Sequence, residues 1–232
     1  MFYGNVVGST AREKCNLFAS HFQSAFNNFV SSSAQIDRAC RNTPSNVCSL
    51  SQLQITPEQV QTAILKLKTS YTSPDGIPSC VFKKCSDILV HPLAWIFNAS
   101  LRQSKFPTGW KSSIMFPVHK KNDKQNIENY RGITSLCACS KIFEIVMNNV
   151  LFTSCKHYIS VDQHGFYPRR STSTNLVQFT SFCLRHMDSG MQVDTVYTDL
   201  KSAFDRVDHG ILLARLRKLG LSDDLVRWLK SI

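Results

Sequence analysis

Two β-prone arms standing among helical stretches restrict this chain to an α+β fold. Ile114–Val118 and Asn129–Ile133 are the arms, and the polar Lys120–Lys124 between them reads as the turn of an antiparallel hairpin. The periodic stretches before the hairpin are helical. Thr10 and Glu13 have capping-box spacing, and Phe18, Phe22, Phe26 and Phe29 then fall on one helix face, a packing stripe. Thr56 opens a second helix with Pro57 at its first position, Gln59 closing a capping box, and Ile55 and Val60 placed as a hydrophobic staple. Val60, Ile64 and Leu67 form its buried face. A Ser73-Pro74-Asp75-Gly76 turn follows, then helices expected over Pro78–Leu89 and Pro92–Arg102. Ser31–Ser51 is rich in Ser and Asn without periodicity, so it reads as a linker, and 50/51 as the boundary between a helical N-terminal connector (1–50) and the main domain (51–232).

After the hairpin, Ser140–Leu151 is expected to be a helix buried on a broad face, and Thr174–Met187 another. Between them Asp162–Thr172 is punctuated by Gly165 and Pro168 and carries Phe166, Tyr167, Arg169 and Arg170. Either the aromatic and guanidinium groups meet nucleic acid, or Phe166 plugs the core while both arginines are solvated. Val193–Tyr197 is a β-prone run that delivers Asp199 to a strand end, with helical spacing resuming at Leu212, Leu216 and Leu219. A carboxylate there is either a solvated turn or cap residue, or an oxygen ligand pointing into a cleft. Asp208 reads as a helix cap, and Ser222 starts a last helix that leaves Trp228 and Leu229 exposed where it stops at Ile232.

Composition narrows the partners. With 27 Lys and Arg against 16 Asp and Glu, the formal charge is +11. The pI is near 9.3, which favours a polyanion. The excess concentrates between Leu101 and Lys141, where eight cations face only Asp123 and Glu128. Lys120 and Lys121 lie at the hairpin tip and Arg131 on its returning arm, either as a solvated face or as groups converging on phosphate. The nine cysteines form no C-x-x-C pair and read as reduced core thiols. With no apolar run of membrane-spanning length and no basic n-region or apolar h-region, the expected location is nuclear or cytoplasmic, neither secreted nor membrane.

Several stretches, in order, resemble reverse transcriptases of LINE-type (non-LTR) retrotransposons, of the jockey-like kind. Ser73-Pro74-Asp75-Gly76-Ile77-Pro78 looks like the segment that opens the domain. Trp110–Lys121 is similar to motif 1 and Asn129-Tyr130-Arg131-Gly132-Ile133 to motif 2, with Gly132 where many relatives have Pro. Lys141-Ile142-Phe143-Glu144 fits the helix after it. Gln163-His164-Gly165-Phe166 with Arg169-Arg170-Ser171-Thr172 is similar to the next block, although Tyr167-Pro168 replaces the usual Arg-Pro. Tyr197–Val207, with Tyr197-x-Asp199 and Ala203-Phe204-Asp205, resembles motif A.

The resemblance implies the fingers and partial palm of a right-hand polymerase: helix-rich, with a basic β-hairpin and an incomplete antiparallel palm sheet. It implies an RNA template, a DNA primer and dNTPs as partners and Mg²⁺ as cofactor in the complete enzyme. Asp199 would be the catalytic metal ligand, with the Leu200 backbone carbonyl as a second oxygen. Lys120, Lys121 and Arg131 would hold the triphosphate and Phe204 would pack against the sugar, with Asp205 in a structural role. Gln163, Arg169 and Arg170 would contact nucleic acid. The family's later Gly-rich block, Asp-Asp hairpin and thumb are not in this sequence, so these residues alone are expected to be inactive, and either a nucleic-acid-binding module or an element remnant.

Overall fold

The computed structural model describes residues 1–26, 31–45, 53–69, 73–200 and 202–232. In chain order they form β1 (Phe2–Tyr3), β2 (Val6–Val7), α1 (Ala11–Ala25), α2 (Ser33–Cys40), α3 (Pro57–Lys66), α4 (Ser79–Lys84) and α5 (Ser86–Arg102). Then follow β3 (Ser113–His119), β4 (Tyr130–Leu136), α6 (Ala138–Cys155), α7 (Thr172–Asp188), α8 (His209–Lys218) and α9 (Asp223–Lys230). The chain is helix-rich α+β, with two antiparallel two-stranded sheets, β1-β2 and β3-β4, among the described residues. It divides into two units, Met1–Ser154 with Ser202–Ile232, and Cys155–Lys201.

Helices begin where local chemistry starts them. Thr10 accepts the Glu13 amide while Glu13 returns to the Thr10 backbone, the reciprocal box expected from the sequence. Thr56 and Gln59 repeat it at α3, with Ile55 and Val60 both buried. Amides of Ser9 and Thr10 on the Glu13 carboxylate hold its pKa at about 2. The group is exposed, so the effect is local. A carboxyl depressed in the folded state stabilises fully above its unfolded pKa, near 4.5, and the contribution is lost as pH falls through about 2. Amide-exchange protection at the start of α1 should therefore decline between those values in the native chain. Glu13→Gln keeps the box geometry without titrating, so it should flatten that decline; an unchanged pH profile in Glu13→Gln would count against the assignment.

Four local readings need correction. Ser33–Cys40 is helical inside the stretch read as a linker, started by a Ser32/Gln35 capping box. It packs against α8: Arg215 Nη2 donates to the Ala39 carbonyl (3.0 Å) and Lys218 Nζ to Cys40 (2.8 Å), cations placed at a helix C-terminus. Ser31 Oγ donates to Asp208 (2.5 Å), which caps α8 through the Ile211 amide; both bonds hold the Asp208 carboxyl below the usual range. Second, the break between α4 and α5 falls at Cys85, and Pro92 lies inside α5. The carbonyl that Pro92 leaves without a donor belongs to Ile88, an exposed residue where water can serve. Third, the cysteines are not all core thiols. The eight described form no disulfide with one another, and Cys15 and Cys85 are exposed. Cys137 is buried, and desolvation pushes the neighbouring Cys139 thiol up to about 12, which keeps it protonated and inert. Phe29 and the 50/51 boundary lie outside the described residues.

Fourth, Trp228 is not exposed. It is 1% accessible and closes the larger unit's aromatic core. Phe97 stacks on Phe143 at 4.3 Å, Phe106 stacks on Phe143 at 5.8 Å, and Trp110 meets Phe97 edge-on. Trp228 lies 4.9 Å from Phe143 and donates its indole N–H to Ser100 Oγ (2.9 Å). Ser222 and the acidic pair Asp223 and Asp224 start its helix as the sequence suggested. A polar clamp ties α3 to this core. The Asn98 amide accepts the Ile55 N–H (2.8 Å) and donates to the Ile55 and Ala94 carbonyls.

Candidate nucleotide and nucleic-acid interface

The hairpin forms where its arms were placed, and its register sorts its side chains. Val118 pairs with Arg131, Phe116 with Ile133 and Ile114 with Ser135, so these share one face. The other face carries Met115, Pro117 and His119 with Tyr130 and Gly132. That second face meets α1. Phe18 packs edge-on to Tyr130 at 5.0 Å and stacks on Phe22, and these phenyl rings face Met115 and Pro117 across a groove of about 350 Å³. A Cβ on Gly132 would stand 2.6 Å from Met115 Sδ, so a larger residue there would make that flexible side chain turn aside.

The first face is open, with Ile114, Phe116 and Ile133 exposed. The Lys120 amide donates to the Asn129 carbonyl (2.8 Å), which extends the ladder one step past His119. Lys120 therefore lies two residues beyond Val118 on the face that Arg131 occupies, a diagonal neighbour of that guanidinium. Lys121 begins the turn and is exposed. The tip is tied internally. Asp123 accepts the Gln125 amide, Asn129 Nδ2 donates to the Asp123 carbonyl, and Tyr130 OH donates to Lys124. Two or three cations are thus presented by a braced hairpin beside an apolar strip. In the same unit Phe204 sits on an irregular turn, 77% accessible, where the Val207 amide reaches its carbonyl. Asp205 is exposed beside it.

In the smaller unit the expected strand is missing. Val193–Tyr197 is irregular and mostly exposed, as are Asp199 and Leu200. A β-strand exists only when a neighbour satisfies its backbone groups, and no described strand pairs with this run. The palm sheet anticipated from the sequence is accordingly not formed among the described residues. Nor do these residues bring three acidic, cysteine or histidine groups together as a metal cluster. Asp199 and the Leu200 carbonyl alone do not fit the six or so oxygens Mg²⁺ requires.

The loop after α6 is organised around residues whose roles the sequence did not separate. Arg170 lies 4.2 Å over the Tyr167 ring and donates to the carbonyls of Val161 and Gln163, the latter at 2.7 Å. It ties the loop to itself, whereas Arg169, at φ +64°, is the exposed cation of the pair. Gln163 Nε2 donates to the Gly165 carbonyl (2.9 Å). Phe166 is 92% accessible, so it plugs no core. The buried residue is His164: its ring nitrogens meet Thr174 Oγ1 (2.9 Å) and Gln178 Oε1 (2.8 Å), and Gln178 Nε2 in turn donates to Asp162. Sequence reading missed His164. Its signal was Thr174 and Gln178 at i, i+4 spacing on the helix that follows.

No family model matches the chain. Curated relatives do. It is 27% identical over 223 residues (93% of the chain, 24% of the relative) to the probable RNA-directed DNA polymerase from transposon BS of Drosophila melanogaster. It is 28% identical over 220 residues (90% and 24%) to the RNA-directed DNA polymerase from mobile element jockey of the same organism. It is 30% identical over 176 residues (70% and 16%) to the putative 115 kDa protein in type-1 retrotransposable element R1DM. The chain spans about a quarter of the length of the first two.

Proposed function

Since the homologues of this chain are RNA-directed DNA polymerases of jockey-type and other non-LTR Drosophila retrotransposons, we propose that it supplies the fingers and the start of the palm of such a reverse transcriptase. Residues 1–50 are the connector and 51–232 the partial polymerase domain. This is a division by role and not by compact unit. The substrates are an RNA template, a DNA primer and dNTPs. What supports this reading is the hairpin register, which with the Lys120–Asn129 hydrogen bond puts Lys120 on the face of Arg131 and Lys121 at the turn; in this role they are the phosphate clamp. Phe204 packs against the sugar, and Gln163 and Arg169 contact the nucleic acid while Arg170 braces their loop. Asp199 is the catalytic carboxylate, one ligand of a Mg²⁺ site that is complete only with carboxylates from elsewhere in a full-length polymerase. No helix among the described residues is long and apolar enough to cross a membrane.

The chain by itself is then a binder and not a catalyst. With labelled single-stranded RNA, log Kd should vary steeply with log salt, and Lys120→Ala with Arg131→Ala should flatten the slope by roughly 1.4, the value for two phosphate contacts on a single strand. An unaltered slope would remove the hairpin from the interface. Primer extension should be absent. Extension that Asp199→Asn abolishes would show that the chain assembles a metal site unaided.

A further inference from the structure

Away from the hairpin, the end of α3 and the first turns of α6 border an open cleft of about 730 Å³. Its walls carry Lys66, Lys68, Lys141, Glu144, Asn148 and Asn149. We propose that this cleft is a second nucleic-acid site, a groove for the phosphodiester backbone of an unpaired strand. The proposal rests on the reading that the chain binds nucleic acid.

The residues of α6 make the argument. Ile142, Phe143, Val146 and Met147 face the core. Lys141, Glu144, Asn148 and Asn149 recur at the helical spacing on the other side, so α6 presents a cation, a carboxyl and two amides to the cleft. Lys66 and Lys68 have an explanation within the fold, since cations are favoured beside the C-terminus of a helix such as α3. Lys141 has none. It is the fourth residue of α6, where the positive end of the helix dipole disfavours an ammonium group. None of the three lysines is in an ion pair. The two ion pairs among the described residues are Arg217–Asp223 and Arg227–Asp224. The one acid in the cleft, Glu144, offsets only part of the charge of the three lysines; desolvation raises its carboxyl and Lys141 pulls it down. Three lysines outside any ion pair thus border one open cleft, and a partner with regularly spaced negative charge can meet all of them. The amides add donors and acceptors for sugar or base edges.

The test uses the whole chain, labelled oligo-U and oligo-dT, and a potassium chloride series. Lys66→Ala, Lys68→Ala and Lys141→Ala together should flatten the log Kd against log salt slope by roughly 2, as expected for three single-strand contacts. A matched loss of charge at exposed cations outside both surfaces, Arg102→Ala, Lys156→Ala and Lys230→Ala, should leave it nearly unchanged. Glu144→Gln should tighten binding severalfold, a gain that no folding defect can produce. Equal response of the two oligonucleotides supports backbone recognition, and a preference above tenfold for either overturns it. If the cleft triple variant behaves like the matched control, the cleft proposal fails while the hairpin reading stands. If only the hairpin variant is without effect, the hairpin reading fails and the cleft is retained. Loss of effect in both overturns both.

Discussion

Trp228→Ala should lower the unfolding free energy of the larger unit by about 3 to 5 kcal/mol, the range for removing a buried aromatic side chain. The indole is 1% accessible and lies 4.9 Å from Phe143 and 5.8 Å from Phe106, so truncation leaves a void between two rings held elsewhere. It also takes the donor from Ser100 Oγ, a hydroxyl that already donates to the Lys105 carbonyl. Trp228→Phe separates the terms, because it keeps an aromatic ring while losing the hydrogen bond, and should cost about 1 to 3 kcal/mol. Urea unfolding followed by far-UV circular dichroism measures both. A loss below about 1 kcal/mol in Trp228→Ala would show that the indole does not close this core. Set against a typical total of about 5 to 15 kcal/mol, the expected loss takes a large fraction of the folded state's margin.

Asn98→Ala should be the second most damaging substitution, at about 2 to 3 kcal/mol. The side chain does for Ile55 what a neighbouring strand would do, matching both its N–H and its C=O at 2.8 Å. Ile55 is buried, so no water takes over when the amide is removed, and both groups lose their partners. The effect should be concentrated locally. Hydrogen exchange of the first amides of α3 should accelerate more than that of α6, whereas uniform acceleration would mean that Asn98 acts through α5 packing and not through the clamp. Asn98→Asp retains the acceptor but not the donors, and should fall between the native chain and Asn98→Ala.

The features legible in the sequence are those decided within a few residues. Thr10 with Glu13, Thr56 with Gln59, and Ser222 before Asp223 and Asp224 each specify a helix start by hydrogen bonds across one turn, and each forms. The hairpin is less local, its arms joined by ten residues between His119 and Tyr130 that include a 3-10 turn at Ile127–Asn129, yet each arm was legible from its own composition. Much of what failed depended on distant partners, although the Ser32/Gln35 box that starts α2 is as local as the others and was passed over. Val193–Tyr197 has strand composition but no described neighbour to pair with, and composition cannot supply one. Trp228 read as exposed because its partners, Ser100, Phe106 and Phe143, are remote in sequence. Arg169 and Arg170 were indistinguishable as letters, and only the Tyr167 ring and the Val161 and Gln163 carbonyls separate the brace from the exposed cation. Lys66, Lys68 and Lys141 were scattered in three passages of the sequence, and it takes the approach of α3 to α6 to make them one surface.

The remoteness of Trp228 has a consequence for synthesis. Its hydrogen-bond partner Ser100 is 128 positions earlier in the chain. At roughly 5 to 20 residues per second, a ribosome needs about 6 to 26 s to travel from one to the other. Over the last 85 of those positions, about 4 to 17 s, the Phe97, Phe106 and Phe143 rings are all made and stand without the indole that covers them. Closing so long a loop is also slow in its own right. The nascent chain therefore carries an uncovered aromatic face for seconds, long enough for chaperones, or a neighbouring nascent chain on the same messenger, to reach it first.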